Sequence, residues 1–101
     1  MVKEYIGKYC IVRSRDQGVM AGYVQAIEGR MVKLEKARQL YAWSSTFVLV
    51  ELATQGPRRE SEQKYSAESA EPVLMLEACG VLPCTPEVEK AIRAIVAERH
   101  E

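Results

Sequence analysis

The chain has 101 residues, room for one domain around one modest core. Its 14 Lys/Arg balance 14 Asp/Glu, so the net charge is zero and nothing marks a polybasic nucleic-acid protein. No stretch is long and apolar enough to span a bilayer, and Met1-Val2-Lys3-Glu4-Tyr5-Ile6 lacks the apolar run of a signal peptide, so a cytoplasmic protein without a membrane partner is expected.

Cys10, Cys79 and Cys84 form an odd set with no Cys-x-x-Cys pair, and the sole histidine is His100. That pattern argues against a disulfide framework and a zinc site, and the thiols read as small buried hydrophobes. Charge is unevenly spread. Residues 1–43 carry eight Lys/Arg against four Asp/Glu, and residues 44–101 carry six against ten. A basic half faces anions, or it faces the acidic half of a neighbouring subunit.

In chain order, Tyr9-Cys10-Ile11-Val12-Arg13 reads as a first strand, closed by the turn residues Ser14 to Gly18. Val19 to Ile27 is the second strand, and Gly22 inside it marks a bend, a bulge or a close backbone approach. Glu28-Gly29-Arg30 makes a tight turn. Met31 to Glu35 then alternates, with Val32 and Leu34 on one face and Lys33 and Glu35 on the other. One buried and one wet face suit an antiparallel meander.

Residues 37–43 continue as a fourth strand or an extended segment. A helix is expected over Ser44 to Gln55, apolar nearly all round and stopped by Gly56-Pro57, with a strand as the alternative its β-branched residues leave open. Its residues Phe47, Val48, Leu49 and Val50 are the expected oligomer interface. Residues 57–70 read as a mobile polar loop, residues 72–76 as a last strand, and residues 79–84 as a turn or irregular crossing. Thr85 caps the final helix, Pro86 stands at its first position, and Val88, Ala91, Ile92, Ile95 and Val96 recur at helical spacing. The expected fold is α+β: a single domain with a small antiparallel meander, or SH3-like partial barrel, of four to five strands. A short middle helix and a C-terminal amphipathic helix complete it.

The sequence offers no catalytic residue set, cofactor motif or metal site. No histidine lies in the folded body to serve a cysteine, no serine sits in a nucleophile elbow, and the glycines are spaced as hairpin glycines. Binding fits better. Arg13, Arg15, Arg30, Lys33, Lys36 and Arg38 fall in or beside the meander, interleaved with Tyr9, Tyr23, Tyr41 and Trp43. Arginine forks hold phosphate and aromatic faces stack on bases. The candidate ligand-binding residues are Arg13, Arg15, Arg38, Tyr41 and Trp43, with Arg58 and Arg59 closing from the loop. The plainer reading makes the tyrosines half-buried packing, Trp43 a core anchor and Arg58-Arg59 solvated loop charge.

Gly7-Lys8-x-x-Ile11-Val12-Arg13, Gly18-Val19-x-x-Gly22-x-Val24 and Gly29-x-x-Val32-x-Leu34 are similar to the rhythm of Sm-like and other SH3-like barrels. A longer pattern joins Gly18-Val19-Met20-Ala21-Gly22, Leu34-Glu35-Lys36-Ala37-Arg38, Trp43 and Pro83-Cys84-Thr85. It resembles a family of small uncharacterised proteins encoded by phages and prophages. That resemblance implies a mobile-element origin, action in the cytoplasm of a bacterial host and a counter-defence role. Three expectations follow. The first is a non-catalytic, oligomeric accessory protein binding an anionic ligand such as a nucleotide signal. The second is a protein–protein inhibitor of a host defence complex, for example of CRISPR type. The third is a small nucleic-acid-binding barrel.

Overall fold

The computed structural model describes residues 2–15, 17–42, 52–54 and 64–96. Among these residues six strands form one antiparallel sheet: β1 (Tyr9–Ser14), β2 (Gly18–Glu28), β3 (Met31–Ala42), β4 (Lys64–Tyr65), β5 (Val73–Met75) and β6 (Ala78–Pro83). The order is β4-β3-β2-β1-β6, and β5 also pairs with β3. A 3-10 turn at Val2–Tyr5 precedes the sheet, and helix α1 (Pro86–Ala94) follows it. Among the described residues no helix is long and apolar enough to cross a membrane.

The α+β class and the first two strands match the sequence reading, and three elements differ. The third and fourth expected strands are one strand, β3. Lys64–Tyr65, expected in a mobile loop, pairs with Leu40 and Ala42, and Tyr65 is fully buried. The expected irregular crossing at 79–84 is mostly strand β6, paired with β1 from Cys10↔Pro83 to Ser14↔Ala78. Of the middle helix, Leu52, Ala53 and Thr54 are helical; the remainder, with Phe47, Val48, Leu49 and Val50, lies outside the described residues.

Strand β1 is buried on both faces rather than on one. Tyr9 and Ile11 join a core with Ala21, Leu40, Leu52, Tyr65, Val88 and Ile92 under α1. Cys10 and Val12 join a second core with Val24, Val32, Leu34, Ala37 and Met75. The alternation of side chains along a strand explains the split.

A bulge in β3 decides which side chains reach which core. Tyr23 faces Glu35 and Ala21 faces Arg38, so Lys36 and Ala37 together stand against Gly22. Lys36 takes the left-handed conformation, φ 51°. Before the bulge, even-numbered Val32 and Leu34 face the second core; after it, even-numbered Leu40 faces the first. The extra residue re-aims the strand by one face.

The sheet also curls until its ends meet. The Gln17 side chain, in the β1–β2 turn, donates through Nε2 to the Leu74 carbonyl (3.1 Å) and accepts at Oε1 from the Leu76 N–H (2.7 Å). The Ala78 N–H donates to the Arg30 carbonyl at 2.8 Å.

Gly22 fits here because a side chain does not. A Cβ at that position would stand 2.9 Å from the Glu35 carbonyl oxygen and 3.1 Å from the Ala37 Cα, both backbone atoms. Gly22→Ala is expected to lower stability by about 2 kcal/mol, through overpacking against the bulge. Urea unfolding measures it, and an unchanged midpoint would contradict the close approach.

Candidate functional site

The layer between α1 and the sheet holds a connected set of polar side chains. Thr85 starts the helix, its Oγ1 accepting from the Val88 N–H at 3.2 Å, and Val88, Ile92 and Ile95 anchor it to the core. Its far end rests on Arg38. That side chain is 3 % exposed. Its Nε donates to the Ser66 carbonyl (2.8 Å), and its Nη1 donates to the carbonyls of Ile92 (2.8 Å) and Arg93 (3.3 Å). The guanidinium carbon stands 5.3 Å from the Tyr65 ring centroid. Carbonyls in the last helical turn lack intrahelical donors and carry the negative end of the dipole, so a cation there satisfies both. The Tyr65 ring adds a cation–π contact.

Outside Arg38 lies a second network. Arg93 forks onto Glu68, Nε to Oε2 at 2.7 Å and Nη2 to Oε1 at 3.0 Å. Its Nη1 donates to the Tyr23 hydroxyl at 3.1 Å, and that hydroxyl donates in turn to the Glu89 carboxylate. Tyr9 meets Tyr23 edge to face, with ring centroids 5.0 Å apart. The Arg93 fork holds the Glu68 carboxyl below its ordinary range. The Glu89 carboxylate, taking the Tyr23 proton in a hydrogen bond, pushes that phenol up.

Burial sets the remaining groups. It raises Tyr65 to about 12, Cys84 to about 12 and Cys10 to about 11. It also raises Tyr9, whose buried hydroxyl, like the Ser69 Oγ, has no hydrogen-bond partner among the described residues. These phenols and thiols keep their protons at neutral pH, which makes them poor nucleophiles and bases. The layer works as a latch: α1, β2, β3 and the segment at 66–69 are tied through Arg38 and Arg93.

The expected ligand-binding residues divide accordingly. Arg38, expected to meet phosphate, is buried and spends three hydrogen bonds on backbone carbonyls. Its role in the fold is that of a helix clamp. Arg13 is exposed on β1, between Val19 of β2 and Gly80 of β6. Arg15 is exposed in the turn that follows. Tyr41 lies in β3, where only its backbone is described, and Trp43, Arg58 and Arg59 lie outside the described residues.

The curl supplies a neighbour that residue spacing does not reveal. Ser14 pairs with Ala78, and Ala78 bonds to Arg30. Exposed Arg15 and Arg30 thus flank the start of β6, with Arg13 beside them and exposed Glu77 at the margin. Met31, Leu74 and Leu76 are exposed nearby. A shallow groove of about 260 Å³ runs along Ala26, Glu28, Met31, Lys33 and Leu74. Among the described residues there is no group of three side chains suited to hold a metal ion.

Residues 7–92 match the family model of a domain of unknown function, DUF6948, and the chain belongs to that family. No curated protein and no solved structure matches it.

The latch has a pH signature. Glu68 is held below its unfolded-state value by the Arg93 fork. The Arg93–Glu68 pair therefore contributes stability above the unfolded-state value and loses it as pH falls through the lowered folded value. The side chains are 34 % and 27 % exposed, so solvent screens them. Glu68→Gln is expected to cost about 0.5 kcal/mol at neutral pH and progressively less in acid, as pH falls through the lowered folded value. Unfolding curves at both conditions test this; an equal cost at both would contradict it.

Proposed function

We propose that this chain is a non-catalytic accessory protein that binds an anionic ligand, a nucleotide signal in the first instance, at the cationic end of its sheet. One observation carries the reading: the Ser14–Ala78–Arg30 connection brings Arg15 and Arg30 to the two sides of one strand end. Both are exposed, and among the described residues neither has a carboxylate partner. Uncommitted guanidinium forks suit phosphate, which they hold bidentately. Arg13 lies one position before the β1–β6 bulge and extends the same end.

The resemblance to small phage and prophage proteins supports a setting in the host cytoplasm, with sequestration of a defence nucleotide as the role. The Gln17 seam and the Ala78–Arg30 bond support reading the curled sheet as an SH3-like partial barrel. A second reading is an inhibitor of a host defence protein. Met31, Leu74 and Leu76, exposed beside the same end, favour it, because apolar side chains ringed by charge suit a protein surface.

Isothermal titration against cyclic nucleotides and inorganic phosphate separates the readings. Saturable heat is expected, with Arg15→Ala and Arg30→Ala each weakening binding about tenfold and leaving the unfolding midpoint unchanged. No heat from a folded sample, or binding indifferent to both substitutions, would overturn the nucleotide reading.

A further inference from the structure

We infer that the outer wall of β2 and β3 binds a short zwitterionic peptide, a dipeptide with apolar side chains, held by its two termini between Lys33 and Glu35. The inference goes beyond the anion-binding reading and shares no residue with its test.

The outer face of the sheet divides at Tyr23. On one side of it, α1 packs over Tyr9, Ala21 and Leu40. On the other, Gln25, Ala26, Lys33 and Glu35 are exposed. An open groove of about 600 Å³ lies there, lined in part by Ile6, Gly7, Tyr23, Gln25, Lys33 and Glu35. That volume falls within the range of small-ligand clefts. The groove meets the shallower one along Met31 and Leu74, since both are lined by Ala26 and Lys33.

Two bulges shape this wall. Register shifts fall between Ala21 and Tyr23 and between Val24 and Ala26. The second sets Gln25 against no residue of β3 and brings exposed Ala26 opposite exposed Lys33. Bulges re-aim side chains in this way beside binding sites. Gly7, with φ 86°, edges the groove with backbone alone.

Charge identifies the ligand class. The lining carries one cation and one anion, Lys33 and Glu35. Among the described residues neither side chain has a hydrogen-bond or ion-pair partner. They stand two apart on one strand, so they share a face with Cα atoms about 7 Å apart. Two extended residues also span about 7 Å, which lets a dipeptide set its carboxylate on Lys33 and its ammonium on Glu35. In that direction its first side chain lies toward Tyr23, which pairs with Glu35, and toward Ile6, 43 % exposed. Its second lies toward Leu74, which pairs with Lys33 and is 48 % exposed.

The neighbouring charges limit the length. Exposed Lys36 follows Glu35 and exposed Lys8 follows Gly7, so an ammonium carried past Glu35 meets repulsion. Exposed Glu28, opposite Met31, does the same to a carboxylate carried past Lys33.

A nuclear magnetic resonance titration of the isotopically labelled full chain with leucyl-leucine examines this. Saturable shifts are expected at the amides of Tyr23, Gln25, Lys33 and Leu74. N-Acetyl-leucyl-leucine and leucyl-leucinamide, each lacking one charge, are expected to bind about fivefold more weakly. Free leucine, too short to reach both poles, is expected to bind more weakly still. In Lys33→Met the amide and the free acid should bind alike, and in Glu35→Gln the acetylated and free forms should. No shifts from a folded sample at about 10 mM peptide, or shifts confined to other parts of the chain, would sink the inference. Binding indifferent to both caps, or caps whose effects survive the two substitutions, would do the same.

Discussion

A buried guanidinium holds this small protein together. Arg38 sits on a strand, under a helix and against a ring, and its donors reach carbonyls from two other segments. A buried charge left unpaired costs several kcal/mol. Here the compensation comes from the carbonyl end of α1, from Ser66 and from Tyr65, so α1 and the 64–66 segment must dock together for Arg38 to be buried at all. That requirement couples the C-terminal helix to the sheet more tightly than the apolar side chains of α1 would do alone. The bulge at Lys36 is the condition for it, because the shift of one residue carries Arg38 from the face of Leu34 to the face of Ile92.

The outer network of Tyr23, Glu89, Arg93 and Glu68 reinforces the same joint in a wetter place. Its contacts are individually weaker, since solvent reaches them. It also explains the chemical quiet of the layer. Carboxylates there are spent on Arg93 and Tyr23, and the thiols and phenols beneath are kept protonated by burial. The interior arginine is spent on the fold. Among the described residues, Arg13, Arg15 and Arg30 are exposed without a carboxylate partner, near the Ala78–Arg30 bond.

Local patterns that bury one face were readable from the sequence. Val32 and Leu34 alternate with Lys33 and Glu35, Thr85-Pro86 opens the helix, and Gly22 marks a close approach; each is a neighbourhood effect of a few residues. Long-range pairings were not readable. Gly80 and Pro83 suggest a turn, yet both fit a strand at a sheet margin, where a missing N–H or side chain costs little. Tyr65 sits in a polar tract and owes its burial to Leu40, far earlier in the chain. Lys36 gives no sign of a positive φ, because Lys-Ala has no intrinsic need of one. Arg38 looked like a ligand residue for the same reason: its partners are carbonyls, which no side-chain pattern announces. Arg30 gained a role only through Ala78.

Native-state hydrogen exchange on Arg38→Met bears on the clamp most directly, since methionine keeps the apolar stem and removes the donors. The clamp requires a loss of stability of about 3 kcal/mol. Amide protection should then collapse first in α1 and at Tyr65, while β1 and β2 exchange only with global unfolding. Protection of α1 equal to that of the unaltered chain, with stability within about 0.5 kcal/mol, would contradict it.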